Sequence, residues 1–119
     1  MKDRRYIEEQ TERNNFLEIA AAGIVDVTLD VNKEFVLANI PSTSAQATNV
    51  YLPKCAEAAG RSYTVIVKGT SVGGSKIVVK SQTNDARVAY TSGNLDTADD
   101  RVRVESDGQL YHEVTSVIA

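Results

Sequence analysis

The run Gly69-Thr70-Ser71-Val72-Gly73-Gly74-Ser75-Lys76 comes close to a glycine-rich phosphate loop, in which backbone amides cradle phosphate oxygens and a lysine reaches them. The order is wrong for that chemistry. The loop needs lysine before its hydroxyl residue, and here Ser75 precedes Lys76. The context is also wrong, because Ile77-Val78-Val79 reads as a strand where phosphate binding requires a helix N-terminus. A flexible hairpin loop is the better reading. Cys55 and His112 are the one thiol and one imidazole, the types from which a nucleophile–base pair is built. Such a pair needs spatial contact and a third group to orient the base. Cys55 sits among alanines, as a small buried hydrophobe does, and His112 falls on the inward face of its expected strand.

Asp96-Thr97-Ala98-Asp99-Asp100 offers oxygen ligands to a cation but lacks the glycine and terminal glutamate of a calcium loop, so solvated carboxylates are expected. Tyr51, Tyr63, Tyr90 and Tyr111 could line a carbohydrate groove, although aromatic residues in strands more often fill the core or pair across strands. The sequence therefore offers no convergent catalytic set. Neither a cofactor nor a metal is expected, and an enzyme is not.

The elements that must position these residues are strands. Val50 to Pro53, Tyr63 to Val67, Lys76 to Lys80, Arg101 to Val104 and Leu110 to Val114 alternate or run apolar over a strand's length, with Gly, Pro, Asn and Asp between them. Val25, Val27, Leu29 and Val31 alternate with polar neighbours, and Phe35 to Ala38 forms another apolar run. This predicts an all-β fold, an antiparallel sandwich or small barrel of about seven or eight short strands. Val25, Val27, Leu29, Val50, Leu52, Val65, Val67, Val102, Val104, Leu110 and Val114 are expected to face inward. Helix is expected only before Gly23, where Phe16 to Ala22 could close a short helix, and as one turn within Pro53 to Ala59, ahead of Gly60. For the last hairpin, Ser106-Asp107-Gly108 suits a three-residue loop, pairing Val104 with Leu110, Val102 with His112 and Arg101 with Glu113.

With 119 residues, 42% apolar and 24% charged, the chain fits one ordinary globular domain plus an arm, residues 1–22 ahead of a β-domain at 23–119. A net charge of −3 argues against nucleic acid as a partner. No apolar stretch suits a membrane span, the charged start does not read as a signal peptide, and one cysteine allows no internal disulfide. Residues 1–15 mix four basic with four acidic side chains around a single apolar turn. Such a segment buries little by itself and is expected to be an attachment arm, with Arg4, Arg5, Tyr6, Ile7, Glu8, Glu9 and Arg13 as its partner-binding residues.

The order of features across residues 48–116 resembles a β-domain found in structural proteins of tailed bacteriophages, including head decoration proteins and head or tail fibres. It runs through Thr48-Asn49-Val50-Tyr51-Leu52-Pro53, an alanine-rich turn to Gly60, Tyr63 to Val67, a glycine-rich loop and Ile77-Val78-Val79. It ends with Val102 to Glu105, Ser106-Asp107-Gly108 and Tyr111 to Ser116. Family members often carry Trp before the last strand, where this chain has Leu110-Tyr111. The resemblance implies virion structure and no catalytic residues. The chain's small size favours a capsid decoration (cement) protein on the outside of the head shell, with the major capsid protein or another virion protein as partner. A homotrimer is expected, located in the virion. The alternatives are another virion part (short fibre, neck or tail protein) and a carbohydrate-binding β-module.

Overall fold

Alternation of apolar and polar side chains produces eight short strands among the described residues, which are 15–21, 26–82 and 95–118 of a computed structural model. They are β1 (Phe16–Ile19), β2 (Asp26–Thr28), β3 (Phe35–Asn39), β4 (Ala47–Tyr51), β5 (Ser62–Lys68), β6 (Lys76–Lys80), β7 (Arg101–Ser106) and β8 (Tyr111–Val117). A single 3₁₀ turn, Cys55–Ala58, lies between β4 and β5. Gly60 behind it takes φ +80°, a conformation that a Cβ would disfavour.

The chain alternates between two sheets. Strands β1, β3, β5, β7 and β8 form one in that order, and β2, β4 and β6 form the other. Up to β6 all pairings within each sheet are parallel: β1 with β3, β3 with β5, β2 with β4, and β4 with β6. Strands β3 and β5 thus turn a corner into β4 and β6, and the β3–β4 and β5–β6 arches stack on one another. Antiparallel pairing comes with β5–β7, the β7–β8 hairpin and an isolated bridge of Ile77 with Leu95. The expected antiparallel sandwich or closed barrel is therefore corrected to two open sheets, one parallel and one mixed. Alternation tells which side of a strand is buried, but it carries no information on strand direction.

Backbone hydrogen bonds run from corner to corner as well as between strands. Ser42 N–H donates to the Ala21 carbonyl (3.1 Å), Ile40 to Lys68 (2.9 Å), Ala45 to Val72 (3.3 Å) and Lys76 to Gln46 (3.1 Å). Two asparagines tie neighbouring strands from outside. Asn39 Nδ2 donates to the Ile19 carbonyl at 2.7 Å, and Asn49 Nδ2 donates to Asp26 Oδ1 at 2.8 Å. An amide in this position satisfies polar groups of the adjoining strand and fixes the stacking register.

One core lies between the sheets. In register rows, Val36–Val65–Val102 and Ile19–Ala38–Val67 of the larger sheet face Val50–Val79 and Ile77 of the smaller, all buried. Burying a valine or isoleucine of this kind contributes about 1.5–3 kcal/mol. Of the expected inward residues, Leu29, Val50, Leu52, Val65, Val67, Val102 and Val104 are buried, and Val27 is half-buried. Val25 lies outside the described residues. Leu110 and Val114 are exposed instead, and Tyr111 is buried.

The terminal hairpin explains that difference. Ser106 belongs to β7 rather than to the loop: its buried hydroxyl donates to the Cys55 carbonyl (2.9 Å) and accepts from Gly108 N–H (3.1 Å). The turn is consequently four residues, Asp107 to Leu110, between paired Ser106 and Tyr111. Lengthening the loop moves each side chain to the other face. Glu105 then pairs with His112 and Val104 with Glu113, and a bulge shifts the register so that Arg101 meets Val117. Tyr111 enters the core edge-on to Tyr63, with ring centroids 6.2 Å apart, and its hydroxyl donates to the Pro53 carbonyl at 2.6 Å. Tyr63 in turn donates to the Val31 carbonyl at 2.7 Å, and burial pushes its phenol up to about 12.

At the other end of the sheet, Phe16–Ile19 is a strand where a short helix was expected. Its alternating exposure, with Ile19 buried and Phe16 outside, matches a period of two, and pairing with β3 along its whole length outweighs the local helix preference of its neighbours.

Candidate interaction surface

The residues singled out for chemistry are spent on structure. Cys55 is buried, with Sγ 3.0 Å from Ser106 Oγ. His112 is exposed on the outer face of β8, not inward as expected, and its Nε2 sits 2.8 Å from Asp107 Oδ2. The two potential reactive partners are therefore engaged separately. Asp107 organises the hairpin turn. Its Oδ1 accepts from the amides of Gln109 and Leu110, both at 2.7 Å, and its carboxyl is held down to about 2 by the His112 bond and those two amides.

The glycine-rich stretch is the corner between β5 and β6. These strands lie in different sheets, so the expected hairpin loop is corrected to an arch. Ser75 Oγ accepts from Val72 N–H there (2.8 Å), and Ser71 Oγ donates to the Ser75 carbonyl (2.7 Å). In the Asp96–Asp100 loop, buried Asp100 Oδ2 accepts from the amides of Asp96 (3.2 Å) and Thr97 (3.1 Å), the geometry of a turn cap. No metal-holding cluster occurs among the described residues. Of the four tyrosines, Tyr63 and Tyr111 are core, Tyr51 is half-buried on the smaller sheet, and Tyr90 lies outside the described residues. The arm residues Arg4, Arg5, Tyr6, Ile7, Glu8, Glu9 and Arg13 also lie outside them, as does the boundary expected after residue 22. At the edge of the larger sheet the Asn15 carbonyl accepts from Phe35 N–H (3.0 Å).

What the fold does assemble is the outer face of the five-stranded sheet. Strand register places Phe16, Phe35, Thr64, Arg103 and Thr115 in one row, and Glu18, Leu37, Ile66, Arg101 and Val117 in the next. Phe16 and Phe35 stack at 5.9 Å between centroids while remaining 43% and 40% exposed, so their contact leaves an aromatic surface open to solvent. Leu37 and Ile66 extend it, both half-buried. The face thus runs from apolar at β1–β3 to basic at β7, with Lys68 paired to Glu18 at 3.6 Å along one border.

Sequence reasoning put the contact on the arm, outside the described residues, and missed this face. The signal lay in the residues alternating with the core set: Phe16, Phe35, Leu37 and Ile66 are large and apolar where a solvated sheet face carries polar side chains. Only the parallel register makes them neighbours. No known protein-family model matches the chain, and no curated protein or solved structure matches it either.

Proposed function

We propose that this chain is a structural component of a tailed-bacteriophage virion, a decoration protein that binds the outside of the head shell as a homotrimer and stabilises it. The observation that carries the reading is the exposed Phe16–Phe35 stack, continued by Leu37 and Ile66 on a hydrogen-bonded sheet. Contiguous aromatic and aliphatic surface on a pre-formed face is what docking uses, since little ordering entropy is lost on contact. The resemblance of residues 48–116 to phage virion domains supplies the class of partner. The carbohydrate alternative loses support, because Tyr63 and Tyr111 are committed to the core.

The N-terminal arm acts as the second contact element. Its balanced charges suit ion pairs with a shell of mixed sign. The test is co-sedimentation of the purified full chain with undecorated capsids, beside a chain lacking residues 2–14. Asn15 is retained because its carbonyl holds Phe35. The full chain is expected to pellet with capsids saturably, and the truncated chain to stay folded while binding falls sharply. A full chain that remains in the supernatant at every capsid concentration would refute the reading. Equal binding by both chains would leave the sheet as the contact surface and remove the arm's role.

A further inference from the structure

Arg101 and Arg103 project from the same side of β7, two residues and so about 7 Å apart. Among the described residues neither forms an ion pair, although the chain is acidic overall. Arg103 leans towards Ser62, its Nη2 3.4 Å from Ser62 Oγ, and thus away from Arg101, whose cross-strand partner is Ile66. Between the two lies a hollow of about 230 Å³, lined by Thr64, Arg101, Val102, Arg103 and Thr115. Two arginines and two threonines thus line one small space at the basic end of the face, and the Phe16–Phe35 surface lies two strands away.

We infer that this hollow receives a carboxylate from an acidic, apolar segment of a protein partner, whose aromatic or aliphatic side chains rest on Phe35, Leu37 and Ile66. The inference deepens the reading of the outer face as a docking surface and rests on it. A guanidinium takes a carboxylate through two parallel hydrogen bonds, and charge-assisted bonds of this kind are about twice as strong as neutral ones. The threonine hydroxyls can donate to the remaining oxygen lone pairs. Charge complementarity is local. Glu18 borders the face at one end and Glu105 flanks Arg103 on β7, so an extended polyanion such as single-stranded nucleic acid would meet repulsion on both sides. A single carboxylate seated between the arginines avoids both.

The probe is a short peptide, Glu-Leu-Glu-Phe-Glu with blocked ends, titrated into the ¹⁵N-labelled full chain and followed by amide shifts. Its control has every Glu replaced by Gln. The acidic peptide is expected to perturb Thr64, Arg101, Arg103 and Thr115, and to bind at least roughly tenfold tighter than the control, equivalent to about 1.4 kcal/mol. The double variant Arg101→Gln, Arg103→Gln, exposed at both positions, is expected to fold normally and lose that preference. Equal affinity for the two peptides, no binding of either, or tighter binding of an oligothymidylate would overturn the inference. Capsid binding by a chain that ignores the acidic peptide would do so while leaving the proposed function standing.

Discussion

Tyr111 is the residue on which the C-terminal hairpin turns. Its ring fills the core against Tyr63, and its hydroxyl reaches the Pro53 carbonyl. Tyr111→Phe keeps the ring and removes this donor, so a loss of about 1–3 kcal/mol is expected in urea unfolding. Tyr111→Ala, which also opens a cavity, should cost about 3–5 kcal/mol. A Phe variant as damaging as the Ala variant would place the anchoring elsewhere. Asp107 is expected to make the turn pH-dependent. Its carboxyl is depressed from 3.8 to about 2, first by His112 and then by the Leu110 and Gln109 amides. A depressed carboxylate contributes stability that is fully present above the unfolded value, and this is lost as pH falls through the folded value. The acid limb of the melting profile should therefore steepen between pH 3.8 and about 2, and Asp107→Asn should flatten it.

Among the elements, the stacked corners are the least forgiving. Gly73 takes φ +56° in the β5–β6 corner, and a Cβ there would collide with Ser44 Oγ in the β3–β4 corner below. Gly73→Ala combines left-handed strain with a clash, so about 1–3 kcal/mol of destabilisation is expected. Adding Ser44→Gly should recover the clash component and leave the backbone component, a non-additivity that a double-mutant cycle reads directly. Simple addition of the two single effects would show the corners to be independent. These corners were illegible in the sequence, although the strands were not. Val50, Leu52, Val65, Val67, Val102 and Val104 declared their burial by alternation, and Gly60 marked the end of the 3₁₀ turn. Direction and partner are set instead by distant pairings such as Asn49 with Asp26, which no local window contains. The slip at Leu110 has the same origin, because the Ser106 hydrogen bond that lengthened the turn is made to Cys55, far away in the chain.

For the whole molecule, the two sheets are unequal, five strands against three among the described residues. Only Tyr111 of β8 is buried, while Val114, Val117 and, just past the strand, Ile118 are 43–49% exposed at the outer edge of the sheet. Exposed strand edges and apolar surface are commonly covered in symmetric oligomers. Analytical ultracentrifugation of the full chain at tens of micromolar is expected to give three times the chain mass. A single species at the monomer mass across that range would count against the trimer. A three-fold arrangement would present three copies of the outer face together. The candidate face was readable only in part. Its residue types stood in the sequence, but their adjacency needed the parallel register of β1, β3 and β5.

That register also sets a timetable for the growing chain. Phe35 waits for Thr64, and Thr64 for Arg103, whereas Ser106 and Tyr111 meet across one turn. Distant closures are slow, while a hairpin forms in about 1–10 μs. At roughly 5–20 residues per second, the ribosome exposes β5 for seconds before β7 exists to cover its edge. The last-made hairpin then completes the sheet almost at once. A nascent chain stalled between Lys80 and Arg101 would carry an open parallel edge, and this is the interval in which a chaperone would be needed.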